Sequence, residues 1–216
     1  GVKCILEPTN TDKLYEILPN YLYRNNVEVI WRTTNWGEPS VHIKSYQTRD
    51  SLMPNCKGEG CNYDEILLTG LKEQILASTK NKILIVLHTS TSHGPTYSKK
   101  YPPQFETFKP VCNSVELGKC SHAELINAYD NTIVYTDYIL SKIIDDLKQL
   151  KEYNSAMIFV SDHGESLGEK NLYMHGLPLM IAPKEQYDIP FIVWVSDGSK
   201  QLKPNKKVSQ NYVFHS

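Results

Sequence analysis

The sequence predicts an α/β fold, a three-layer α/β/α sandwich with a largely parallel central sheet. Two observations carry this. Three short apolar runs, Ile83–Leu87, Ala156–Val160 and Phe191–Val195, have the length and continuity of buried strands. Stretches with helical spacing of apolar residues alternate with them, and strands alternating with helices indicate strand–helix–strand units.

The elements follow in order. Thr11 to Tyr23 reads helical, with Leu14, Ile17, Leu18, Tyr21 and Leu22 on one face and Pro19 bending or shortening it. Val27 to Trp31 is a short strand. Thr33 to Asn62 looks irregular, with Gly, Pro and Asn scattered through it. Tyr63 to Ser78 reads helical, Ile83 to Leu87 is a strand, and Thr89 to Lys119 is a long loop. The strongest helix follows. Ser121 and Glu124 have capping-box spacing, and Leu125, Tyr129, Ile133, Leu140, Ile143, Leu147 and Leu150 recur at helical steps.

The chain has 216 residues and a net charge of −1, so bulk electrostatics give no reason to expect a nucleic-acid partner. No apolar run approaches the roughly 20 residues that span a bilayer. No signal-type stretch opens the chain, so any targeting segment is expected to lie outside this sequence.

Four of the five cysteines close two short polar loops, CKGEGC (56–61) and CNSVELGKC (112–120). Local disulfides in an oxidising compartment are one reading. A zinc knuckle is the other, though neither loop has the tight C-x2-C of most zinc modules. Cys4 is left over and asks for a partner upstream of Gly1.

In an open α/β sheet, ligands collect beyond the carboxyl ends of strands. IFVSDHGES places Asp162 and His163 just past one strand. ILIVLHTSTSHGPT places His88 at the end of another, with His93 beyond it. If those strands are parallel neighbours, these groups meet at one edge, and His175 could fold back to join them. A carboxylate and several imidazoles suit a transition metal, zinc first, or a phosphate. The bland alternative is a tight turn capped by Asp162, with structural histidines. His42 and His122 lack strand-end context. Asp130 and Asn131 in the long helix read as solvent contacts or caps. Lys99, Lys100, Tyr101 and Pro102–Pro103 read as a solvated basic loop.

Three segments together carry a resemblance: SDHGESLGEKNLYMHGLP, LHTSTSHGPTYSKKYPPQFETFKPVC and CSHAELINAYDNTIVYTDYI. The chain resembles, from about Cys4 to Val195, the bacterial phosphoethanolamine transferases of the alkaline phosphatase and sulfatase superfamily, which include the colistin-resistance transferases. The resemblance implies a zinc enzyme on the periplasmic face of the inner membrane. Its donor would be phosphatidylethanolamine, and its acceptor lipid A, a glycan or a protein. Asp162 and His163 match the family's zinc ligands. His93 and His175 match histidines that hold the substrate phosphate or a second zinc. Glu165 matches a glutamate close to the metal, and these three count as catalytic. The family's loop disulfides fit Cys56–Cys61 and Cys112–Cys120.

The family's nucleophilic threonine and a further glutamate ligand precede the position of Cys4. So does the cysteine that would pair with Cys4. The resemblance therefore implies that residues 1–216 are one partial catalytic domain. The threonine, membrane helices and C-terminal end would lie beyond it, leaving this segment inactive alone. A basic residue in the family's loop after Trp31-Arg32 has no clear match. Pro39 and Ser40 fall near it, and Lys44 or Arg32 could substitute. Transfer would proceed through a phosphorylated threonine. The remaining alternatives are a phosphodiesterase or sulfatase of the same superfamily, and a disulfide-stabilised binding domain without activity.

Overall fold

In the computed structural model, residues 16–35, 43, 45–197, 207–210 and 213 are described. The chain forms two compact units, one of residues 1–90 with 205–216, the other of residues 91–204. Cys4, His42, Lys44, Pro39 and Ser40 lie outside the described residues.

The first unit is built on a parallel sheet. Strand β1 (Glu28–Thr33) lies between β2 (Ser45–Thr48) and β3 (Ile83–His88), with Trp31 opposite Val86 and Ile30 opposite Ser45. Alternation along β1 separates two faces. Val29 and Trp31 pack with Ile43, Leu84, Val86 and residues of helix α1 (Leu18–Arg24). Below the other face lie Leu52, Ile66, Leu67 and Leu87.

Pro19 shortens the expected helix: α1 begins just before it, at Leu18, with Pro19 in the first turn, where no amide proton is needed, and residues 11–15 of the expected helix lie outside the described residues. Two details differ from the sequence reading. The irregular stretch contains β2 and a helical turn, α2 (Arg49–Leu52). β2 (SYQT) is a polar strand with only one β1 neighbour, so it leaves no apolar run to notice. The expected helix 63–78 is two pieces, a 3-10 turn Asp64–Leu68 and helix α3 (Leu71–Leu76). Gly70 between them has φ +60°, the left-handed conformation that ends the first piece.

Arg32 is buried and does not act as a substitute surface base. Its guanidinium donates to Leu67 O and Thr69 O, each at 2.7 Å, to Gln47 Oε1 at 2.9 Å and to Gln74 Oε1 at 2.8 Å. It is a cross-link between the sheet and the segment 67–74. The Cys56–Cys61 disulfide closes its loop in this unit, with 5.8 Å between Cα atoms.

The second unit is organised by helix α4 (His122–Gln149), which opens on the expected capping box. Glu124 N donates to Ser121 Oγ, and Ser121 N donates to Glu124 Oε2. The buried face is not the stripe read from the sequence. It runs through Leu125, Ala128, Thr132, Tyr135 and Ile139, while Ile133 is exposed. The loop preceding α4 accounts for this. Asn131, expected at the solvent face, is fully buried. Its Oδ1 accepts from the amides of Thr107 and Phe108, and its Nδ2 donates to Phe108 O and Tyr101 Oη. One buried amide side chain thus satisfies three backbone groups of the loop. The 97–112 segment is anchored by Tyr97, Tyr101 and Cys112, all in the core, while Lys99 and residues 107–110 remain exposed as expected of a solvated loop. The Cys112–Cys120 disulfide closes the end of this loop.

Strand β4 (Ala156–Val160) pairs antiparallel with β7 (Phe191–Val195), Ile158 opposite Val193. β3 belongs to the first unit and β4 to the second, whereas His93 and His163 both lie in the second. β4 and β7 are part-exposed along this ribbon, with Ile158 and Ile192 among the exposed apolar residues.

Asn131→Leu keeps the volume but removes the side-chain acceptor of two loop amides. It should lower unfolding stability by on the order of 2 kcal/mol, measured by urea denaturation, without altering the Cys112–Cys120 bridge.

Candidate metal centre

The site lies within the second unit and begins with a hairpin. Beyond β4, strands β5 (Ser166–Leu167) and β6 (Tyr173–Met174) pair antiparallel, with Ser166 opposite Met174. That register places the flanking residues Glu165 and His175 across from each other. The twelve-residue spacing from His163 to His175 is therefore the length of a hairpin. Its glycines do not leave it loose. Gly168, at φ +119°, makes the turn and donates its amide to Leu172 O.

Glu165 is almost wholly enclosed, its side chain only 3% exposed. One carboxylate oxygen, Oε1, accepts from His175 Nδ1 and lies 3.7 Å from His163 Nδ1. The other, Oε2, accepts from the Tyr97 hydroxyl. His163 and His175 stack, ring centroids 3.7 Å apart and 26° between planes. His93 meets them edge-on, at 5.2 Å from His175 and 6.2 Å from His163.

All three imidazoles are oriented through Nδ1. His93 Nδ1 lies 2.9 Å from Gly94 O, and His163 Nδ1 lies 3.0 Å from Gly164 O. Carbonyls and carboxylates only accept, so Nδ1 carries the proton in each ring. A neutral ring so held carries its lone pair on Nε2, the form in which histidine ligates metals. The three residues offer nitrogens within 4.8 Å of one another, the one such group of three or more metal-type ligands among the described residues. Nitrogens on a single tetrahedral zinc are about 3.4 Å apart, given bonds of about 2.0–2.1 Å. The trio is thus near enough together to share one ion or to flank one. Asp162 Oδ1 stands 3.7 Å from His163 Nε2, on the ligand side of that ring. The donor set fits a divalent transition metal, or a metal with a phosphate oxygen beside it.

Each histidine of the trio is followed by glycine, and the four other histidines are not. The backbone explains two of these pairs. A Cβ on Gly164 would fall 1.9 Å from Glu185 O, where the 185–186 segment closes against the loop and Gln186 O takes the Gly164 amide at 2.9 Å. A Cβ on Gly94 would fall 2.6 Å from Tyr97 Oη and 3.2 Å from Glu165 Oε2. Glycine lets the supporting groups approach directly behind the ligands. His-Gly pairing was therefore a usable signal in the sequence, and Tyr97 and Gln186, which buttress the loop, are what residue-by-residue reading missed.

His88 belongs to the first unit. It ends β3, with its Nε2 3.4 Å from Asn35 Nδ2, beside a buried carboxylate, Asp64, that accepts from the Thr34 hydroxyl and the Ser90 amide. His122 is the exposed first residue of α4.

Burial, and then the charge and hydrogen bond of Glu165, push the Tyr97 phenol far above the ordinary tyrosine range. Burial and Glu165 likewise raise Tyr129. Both phenols stay protonated, so Tyr97 is a permanent donor to the carboxylate.

Comparison with known proteins identifies the family to which this fold and its histidine cluster belong. The family model described as Sulfatase matches residues 7–216, and the chain belongs to that family. Its relatives include phosphoethanolamine transferase EptA of Helicobacter pylori, 44% identical over 223 residues, covering 100% of this chain and 42% of the relative. Another is the Kdo(2)-lipid A phosphoethanolamine 7''-transferase of Escherichia coli, 37% identical over 163 residues, covering 75% of this chain and 28% of the relative. Among solved structures, the C-terminal periplasmic domain of phosphoethanolamine transferase EptC from Campylobacter jejuni superposes with a TM-score of 0.80 at 39% identity, covering 91% of this chain and 63% of that one. The chain spans about two-fifths of the length of its first curated relative.

The raised phenols fix a pH dependence. The folded state keeps protons that the unfolded chain releases near pH 10. Stability is therefore intact below that pH and is lost as pH rises above it. Alkaline unfolding, followed by circular dichroism, should show stability falling from about pH 10 upward, with a smaller fall in Tyr97→Phe.

Proposed function

We propose that this chain is the metal-binding part of a transferase that moves phosphoethanolamine from phosphatidylethanolamine to lipid A or another surface acceptor on the periplasmic face of the inner membrane. The observation that carries the reading is the convergence of His93, His163 and His175 around the Glu165 carboxylate, in a chain whose relatives are phosphoethanolamine transferases.

Asp162 and His163 would hold zinc, with further ligands supplied by residues preceding Gly1. Bound there, zinc would supply a Lewis acid for the phosphoryl oxygens and lower the pKa of the attacking hydroxyl. His93 and His175 would hold a second zinc or face the phosphoryl group, oriented by hydrogen bonds from Nδ1 to Gly94 O and to Glu165. Their remaining positions would stabilise charge on the transferred oxygens or pass a proton to the leaving group. Phosphoryl transfer depends on positioning and electrostatic stabilisation, which a rigid, pre-oriented histidine cluster provides. The nucleophile would be a threonine upstream of this chain, phosphorylated in the first half-reaction and freed when the acceptor attacks.

The loop after His175 supports a lipid donor. Leu179, Met180 and Ile181 project into solvent, Met180 at 97% exposure, on a turn closed by Ile181 N and Ala182 N to Pro178 O. Gln186 fastens the base of that loop to Ser166 and Gly164. An apolar tip on the loop that follows His175 would meet the acyl chains of such a donor.

The test is intact-mass spectrometry of the complete protein after incubation with phosphatidylethanolamine and zinc. A gain of one phosphoethanolamine group is expected, absent in Asp162→Ala and His163→Ala. Full transfer by either variant would overturn the metal assignment. Release of phosphoethanolamine with no adduct would indicate a hydrolase of the same family.

A further inference from the structure

We propose that Tyr97 is the positioning residue of this centre: by donating its hydroxyl to Glu165 Oε2 it fixes the carboxylate whose other oxygen holds His175 in its ligating tautomer. The inference rests on the reading that the histidine cluster binds zinc.

Glu165 has two oxygens with separate duties. Oε1 takes the Nδ1 proton of His175 and lies within 3.7 Å of His163 Nδ1. Oε2 takes the hydroxyl of Tyr97. Glu165 is buried, so water does not readily replace the phenol, and without it the carboxylate is free to rotate about its last torsion. Rotation would take Oε1 away from His175 and release that ring.

The phenol has little freedom of its own. Tyr97 is 1% exposed and packs with Cys112, Leu117, Leu125, Ala128 and Leu167. Its ring meets Tyr129 edge-on, 5.4 Å between centroids and 85° between planes. Gly94 leaves the space through which the hydroxyl reaches the carboxylate. One short segment therefore serves both sides of the site. His93 presents its nitrogen to the ligand, and Tyr97, four residues on, reaches behind the cluster to Glu165. The chain Tyr97–Glu165–His175 is the carboxylate–histidine support seen behind metal ligands generally, extended by one phenol.

The test measures zinc affinity of the complete protein by competition with a chromophoric chelator, zinc alone being the probe. Tyr97→Phe keeps the ring and loses only the hydroxyl, and should weaken zinc binding by about 10- to 100-fold. Glu165→Gln should weaken it similarly, and the double variant should be no weaker than the worse single one, because both act through one contact. Tyr101→Phe, which removes a buried phenol hydroxyl bonded to Asn131, should leave zinc affinity unchanged. Gly94→Ala, which crowds the Tyr97 hydroxyl, supplies a second route to the same loss if Tyr97→Phe folds poorly. Wild-type zinc affinity in Tyr97→Phe with only a lowered Tm would overturn the proposal, as would losses that add in the double variant. A wild-type protein that takes up no zinc would overturn the zinc reading beneath it, a separate failure.

Discussion

The Glu165 carboxylate is the constraint on which the site depends. It is a charge in a nearly closed environment, and such a charge is tolerated only where donors surround it. Tyr97 and His175 are those donors, with His163 just beyond. The arrangement works in both directions. The donors stabilise the carboxylate, and the carboxylate dictates which nitrogen of His175 carries the proton. That choice decides what the ring can bind. A histidine cluster without such support would present rings in either tautomer and several orientations.

The fold delivers these groups from two directions. The β5–β6 hairpin returns His175 to Glu165 by register, since Ser166 and Met174 are paired residues. The segment after His93 is pinned by packing against α4, where Tyr97 meets Leu125 and Ala128 and Asn131 holds the loop's amides. Chemistry at the centre therefore rests on structural residues some distance along the chain. Two short disulfide-closed loops belong to the same logic, since a long irregular segment such as 89–119 has little regular hydrogen bonding to hold it.

Much of this was legible in the sequence. The apolar runs identified β3, β4 and β7, and Ser121 with Glu124 marked the start of α4, because these signals are local. The family resemblance pointed to Asp162, His163, His93, His175 and Glu165, which the structure places on one hairpin and one neighbouring loop of the second unit. What was not legible was non-local. The buried face of α4 was misread because Asn131 and Thr132 are polar and lie inwards, Asn131 satisfied by partners more than twenty residues away and Thr132 by Tyr129 O and Ser92. Arg32 looked available as a surface base, but its partners at Leu67 and Thr69 cannot be inferred from its neighbours. Tyr97 was one tyrosine among fourteen. The pairing of each site histidine with a following glycine was in plain view, and its meaning came from the close approaches behind Gly94 and Gly164.

The central claim is that three histidines are held with Nδ1 protonated and Nε2 directed to a ligand. Histidine side-chain 15N NMR of the metal-free and zinc-titrated protein tests it directly. The account predicts Nδ1–H tautomers for His93, His163 and His175 before zinc is added. On titration the Nε2 resonances of these three should shift, while His88 and His122 stay in place. An Nε2–H tautomer at any of the three in the metal-free protein, or zinc shifts confined to other histidines, would contradict it.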